Sequence, residues 1–163
     1  MTKIGIGTYA LMAALLFWGV LVGGIVFSNL ILMPVFLGDL PASAAVVNGP
    51  YAVNEGPFWI YIHPLVITST LIALATNWKA VSRRKLVSTS LVLYVVMLVA
   101  TALYFVPELM AFVDSAKSNV PAGEWAARAR NWQILSAIRG VVILFLYLQM
   151  LLALTRSESS AGS

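Results

Sequence analysis

The stretch Trp132-Gln-Ile-Leu-Ser-Ala-Ile-Arg139-Gly-Val-Val-Ile-Leu-Phe-Leu-Tyr-Leu-Gln-Met-Leu-Leu-Ala-Leu154 decides the fold class of this 163-residue chain. It exceeds the ~20 apolar residues needed to cross a bilayer as a helix, and Arg139 is its one charge. Trp132, Ser136 and Arg139 are spaced four and three apart, which puts them on one helix face. A guanidinium inside a span costs of order 3 kcal/mol on insertion scales and is kept where a partner or a water-filled cavity receives it. The functional question is therefore what Arg139 faces.

Three more runs reach spanning length, at Tyr9 to Met33, Phe58 to Asn77 and Leu86 to Val106. The chain is 61% hydrophobic and 10% charged, with a mean hydropathy of +0.92; soluble domains carry about 25% charge. These features predict an all-α integral membrane protein, an up-down four-transmembrane-helix bundle. Residues 1–156 form its single domain, and 157–163 a disordered tail. The first run is too long for the ~7–15-residue core of a cleaved signal and is read as a span. No internal repeat is apparent. The absence of cysteine excludes disulfides, thiolate metal sites and thiol catalysis.

Lys79, Arg83, Arg84 and Lys85 crowd the connection between the second and third spans, which the positive-inside rule places in the cytoplasm. Lys3 and Arg156 put both termini on that side, in a bacterial inner membrane. The net charge of +4 reads as a topology signal and headgroup contact, with no nucleic-acid partner. The third span is expected to run past Pro107 toward Lys117, and Pro121 to open the helix that enters the last span.

Polar side chains recur on the faces that would turn inward. The third span carries Ser90, Tyr94, Met97, Thr101, Tyr104 and Glu108 at alternating intervals of four and three, a heptad seam. The second offers His63, Thr70 and Asn77. The first has Gly19-xxx-Gly23 and Gly24-xxx-Ser28, small-residue spacings that permit close helix approach, then Asn29. With a rise of ~1.5 Å per residue, Asn29, His63, Thr101 and Arg139 all fall within ~10 Å of the outer ends of their spans. These positions predict an outer-leaflet polar pocket lined by Asn29, His63, Thr101, Tyr104, Glu108, Ser136 and Arg139, with Trp132 as a wall. It would take a small, largely apolar molecule bearing one anionic or phenolic group.

Glu108 or a ligand anion is the expected partner of Arg139, and His63 is the one imidazole for proton transfer. Structural roles compete with these. His63 before Pro64 would satisfy backbone groups freed by the proline, and Arg139 would pair with Glu108 for cohesion or snorkel to headgroups. A non-enzymatic reading makes the chain a scaffold or subunit that forms homo- or hetero-oligomers through its Gly19/Gly23 face. Copper handling is a third reading, since thioethers suit Cu(I). The six methionines show no clustered spacing, however, and one histidine cannot give bis-His haem ligation. No metal or cofactor is expected.

Thr101-Ala-Leu-Tyr-Phe-Val-Pro107, then Trp132, Ser136 and Arg139, together with Phe17 to Phe27 and Leu32-Met-Pro34, resemble the anthrone oxygenase-like family of small four-helix membrane proteins. The opening span is also similar to the copper-resistance D group. The family's pattern has Asn where this chain has Phe105, Leu109 and Ser136. The resemblance implies the four-helix fold and, for activity, a cofactor-independent oxidation by O₂ with His63 or Glu108 as catalytic base.

Overall fold

The computed structural model describes residues 5–157. Lys3 and all of the expected disordered tail except Ser157 lie outside the described residues. Every regular element is helical, and there is no strand among the described residues. Helix α1 (Ile6–Phe27) passes through a π-helical turn (Ser28–Leu32) into α2 (Met33–Leu37). After a loop comes α3 (Gly56–Thr76). Helix α4 (Val81–Ala100) passes through a second π turn (Thr101–Phe105) into α5 (Val106–Val113), and α6 (Ala122–Leu154) closes the chain behind Pro121. The resulting four rods, of 32, 21, 33 and 33 residues, are each long and apolar enough to cross a membrane.

The two π turns have a common cause in sequence. Each is followed by a proline at the second position of the next helix, Pro34 or Pro107. A proline ring lacks an N–H and strikes the carbonyl four residues back; here those carbonyls belong to Leu30 and Leu103, inside the widened turns. The Met33 amide bonds to the Ser28 carbonyl and the Val106 amide to that of Thr101, each five residues back. One residue beyond the α register rotates everything downstream by about 100° about the helix axis.

These turns reveal a repeat that the sequence reading did not find. Ser28 and Thr101 open the turns, Pro34 and Pro107 follow them, and Trp59 and Trp132 enter the next rod. Each pair lies 73 positions apart (107 − 34 and 132 − 59). Buried pairs keep the same offset, Ala14 with Val87, Leu21 with Tyr94 and Ala73 with Leu146. Helical spacing is preserved at those positions while side-chain identity is not, so the repeat shows in packing more plainly than in letters.

Around the bundle, α1 packs on α3 and α6, and α4 on α3 and α6. Its central core gathers Trp18, Tyr94, Leu21, Val66, Leu146 and Met150, with the Trp18 indole donating to the Thr70 hydroxyl at 2.9 Å. A second core, at the end bearing the connections 38–55 and 114–121, joins Phe36, Phe105, Phe112, Trp125 and Trp132. Of the glycines singled out in the first rod, Gly24 makes the close approach, since a Cβ there would collide with the Phe58 ring of α3. Gly19 abuts the Tyr147 hydroxyl of α6, and Gly23 is exposed. The expected Gly19/Gly23 oligomer face is thus half used within the chain.

At the end bearing the termini, Arg83 departs from its reading as a headgroup contact and lies buried, 4% exposed. Its Nε donates to the Arg156 carbonyl at 2.9 Å, and one terminal nitrogen donates to Thr8 Oγ1 and Asn77 Oδ1 at 2.9 and 3.0 Å. Asn77 in turn donates to the Gly7 carbonyl at 2.8 Å. One side chain from α4 therefore ties the ends of all four rods together, and a buried guanidinium is stable there because its donors are matched.

Candidate functional site

Between the two cores lies a cavity of about 1020 Å³, at the upper end of the range for small-molecule sites. It is bordered by both π turns, by the first part of α3, by the face of α6 that carries Trp132, Ser136 and Arg139, and by the loop ahead of α3. Three rods run well past the start of α3, so the loop of residues 47–55, not a helix, covers that corner.

Arg139 enters from α6. Its terminal nitrogens donate to Thr101 Oγ1 at 3.0 Å and to Ser136 Oγ at 3.2 Å, and its guanidinium carbon sits 4.1 Å from the centre of the Phe105 ring. Thr101 can accept because its own proton goes to the Met97 carbonyl, 2.8 Å away. Arg139 Nε is buried and has no hydrogen-bond partner, and Arg139 makes no ion pair among the described residues. This cation is held by neutral hydroxyls and a ring face, with no carboxylate bonded to it.

The expected partner is elsewhere. Glu108 receives both an Nε and a terminal nitrogen of Arg128, at distances from 2.8 to 3.2 Å, and does not line the cavity. Tyr104 has also left the wall, its hydroxyl accepting from Asn131 at 3.2 Å near the surface. The π turn is the reason. The seam Ser90, Tyr94, Met97, Thr101 continues after the added residue with Phe105 and Leu109, both of which face the cavity. The reading of Tyr104 and Glu108 as pocket residues, and of Glu108 as partner of Arg139, is therefore corrected by one position of helical phase.

The remaining expected residues are brought together. Asn29, His63, Thr101, Trp132, Ser136 and Arg139 all line the cavity. Asn29 donates to the Ile25 carbonyl at 2.9 Å, and the Trp132 indole to that of Phe105 at 3.1 Å. His63 Nδ1 and the Tyr94 hydroxyl share a hydrogen bond of 2.6 Å, and the imidazole stacks on Trp59 with ring centres 5.7 Å apart. His63 is thus committed on one nitrogen to another rod and not to backbone freed by Pro64.

Glu55 is a cavity residue that sequence reasoning missed. It stands at the N-cap of α3 and accepts from Ser28 Oγ at 3.0 Å and from the Trp59 indole at 3.3 Å. Its signal was available, since Glu55, Trp59 and His63 follow one another at intervals of four on one helix face. Met33, Met97 and Met110 also line the cavity, at separate points along it. No three His, Cys, Asp or Glu side chains come together as a metal site among the described residues. Compared with protein-family models, curated proteins and solved structures, the chain matches none.

Proposed function

We propose that this chain is an integral membrane protein whose cavity binds a small, largely apolar molecule through one anionic or phenolic oxygen, with Arg139 as its counter-ion. The observation that carries this reading is the Arg139 guanidinium on the cavity wall, bound by Thr101 and Ser136 hydroxyls, its Nε unpartnered. A charge removed from water and left without an opposite charge is costly. A ligand oxyanion that meets the guanidinium at the cavity wall supplies that opposite charge. The basic connection at residues 79–85 supports cytoplasmic termini and with them a cavity in the outer leaflet, and the membrane we propose is a bacterial inner membrane.

In an anthrone oxygenase-like reaction, His63 is the base, because Glu108 is occupied by Arg128. It would take a proton from an acidic ring methylene while Arg139 holds the adjoining oxyanion. O₂ would accept the carbanion's electron pair, and the resulting hydroperoxide, reprotonated by the imidazolium, would lose water. The balance is R₂CH₂ + O₂ → R₂C=O + H₂O. In support, the three positions where the resemblance puts amides, Phe105, Leu109 and Ser136, line the cavity.

The test is thermal unfolding of the detergent-solubilised protein against aromatic acids and anthrone-type phenols. A ligand present at a hundred times its Kd is expected to stabilise by about 2.7 kcal/mol; a panel that leaves the melting temperature unmoved contradicts the reading. With an anthrone that binds, one O₂ consumed per carbonyl formed, lost in His63→Gln and kept in Glu108→Gln, is the expected signature of turnover. Copper handling lacks such support, because Met97 and Met110 stand thirteen residues apart on one continuous rod, ~20 Å by helical rise and too far to share an ion.

A further inference from the structure

Toward the gap between α3 and α5 the cavity wall turns from polar to apolar. Arg139, Thr101 and Ser136, and the His63–Tyr94 pair, form its interior end. Near its other side the lining residues are apolar and also belong to the outer surface: Ile60 of α3 is 69% exposed, while Val106 and Met110 of α5 are 47% and 52% exposed. These residues stand on two rods that do not close on each other there. Helix α3 packs against α4 but makes no comparable contact with the second π turn or α5, whereas α5 leans on α6. On the loop side the cavity is roofed by Val47, Gly49, Ala52, Val53, Asn54 and the Glu55 carboxylate.

We infer that the gap between α3 and α5 is a lateral portal through which a chain-bearing lipophilic acid enters from the membrane, head first. Its acidic oxygen reaches Arg139, and its hydrocarbon chain lies along Ile60, Val106 and Met110 into the lipid. The inference rests on the reading of Arg139 as a ligand counter-ion and adds the ligand's class and its route. The volume points the same way: about 1020 Å³ is more than a single aromatic acid needs, and an amphiphile would use the excess for the first part of its chain.

The experiment uses the full protein in lipid nanodiscs with a long-chain carboxylic acid carrying a mid-chain diazirine, its methyl ester, and water-soluble 2-naphthoate as a short acid. Photolysis of the long-chain acid is expected to label peptides containing Ile60, Val106 or Met110. Labelling is expected to fall about tenfold with the ester and in Arg139→Gln, the effect of one charge-assisted contact. Ile60→Trp and Met110→Trp fill the mouth from surface positions that packing does not need. They are expected to cut labelling by the long-chain acid while 2-naphthoate binding remains dependent on Arg139.

If 2-naphthoate binds in an Arg139-dependent manner while the long-chain acid labels no mouth peptide or is indifferent to both tryptophans, the portal is overturned and the counter-ion reading stands. If neither acid shows dependence on Arg139, both fail together.

Discussion

The Glu108 carboxylate is gripped by the Arg128 guanidinium through both oxygens, at 2.8 and 2.9 Å, and Arg139 is thereby left without the acid that sequence spacing assigned to it. The two arginines lie on the same helix α6, eleven positions apart (139 − 128), and differ in what the fold offers them. Arg128 also stacks on Trp125, its guanidinium carbon 4.5 Å from the ring centre. Among the described residues, Arg139 bonds hydroxyls and lies over Phe105.

A double-mutant cycle separates these alternatives. Glu108→Gln and Arg128→Gln are expected to couple by about 1 kcal/mol, a value discounted for partial exposure of the pair. Glu108→Gln and Arg139→Gln are expected to be additive. Coupling of Glu108 with Arg139 instead would restore the seam that the π turn breaks.

Helix approach in the first rod is expected to depend on Gly24 and not on Gly23. Gly24→Ala forces the Phe58 ring to move against Trp59 and is expected to destabilise by about 1–2 kcal/mol, as overpacking does. A Cβ on Gly23 meets nothing within 4 Å, so Gly23→Ala is expected to stay within about 0.5 kcal/mol of the parent. Thermal unfolding in detergent distinguishes the two.

At the termini end, Arg83→Gln is expected to cost at least about 2 kcal/mol, because Asn77, Thr8 and the Arg156 carbonyl lose a charged donor. Arg84 donates to the Trp78 carbonyl from near the surface, so Arg84→Gln is expected to change stability little. Equal effects of the two substitutions would mean that Arg83 is one more headgroup charge.

Orientation is checked by reporter fusions. Those at residue 82 and after Arg156 are expected to report cytoplasm, and those near residues 45 and 118 the opposite side. A cytoplasmic signal at residue 45 would invert the assignment of the cavity to the outer leaflet.

The four long helices were legible because an apolar run of spanning length has one stable form, a helix that satisfies its own backbone. The face of α6 was legible too, since Trp132, Ser136 and Arg139 sit in an uninterrupted α register. Tyr104 and Glu108 were misplaced because heptad counting assumes that register, and the π turn adds a residue that composition does not announce. Pro107, six positions after Thr101 just as Pro34 is six after Ser28, was the available sign. Arg83 was hidden among Lys79, Arg84 and Lys85, although running the Tyr94 and Ser90 seam backward by three and four passes through Val87 to Arg83, and all four are buried. That Met33, Met97 and Met110 all border one cavity depends on how the rods are arranged around the bundle, and sequence spacing carries no trace of it.

The most direct measurement is the affinity of the parent protein and of Arg139→Gln for 2-naphthoate and for its uncharged isostere, 2-naphthamide, by isothermal titration. With Arg139 as counter-ion, the parent is expected to prefer the acid by about tenfold or more, and Arg139→Gln to bind acid and amide alike while its melting temperature without ligand stays close to the parent's. Equal affinities in the parent, or a preference for the acid that survives Arg139→Gln, would contradict the assignment of Arg139 as the residue that holds the ligand's charge.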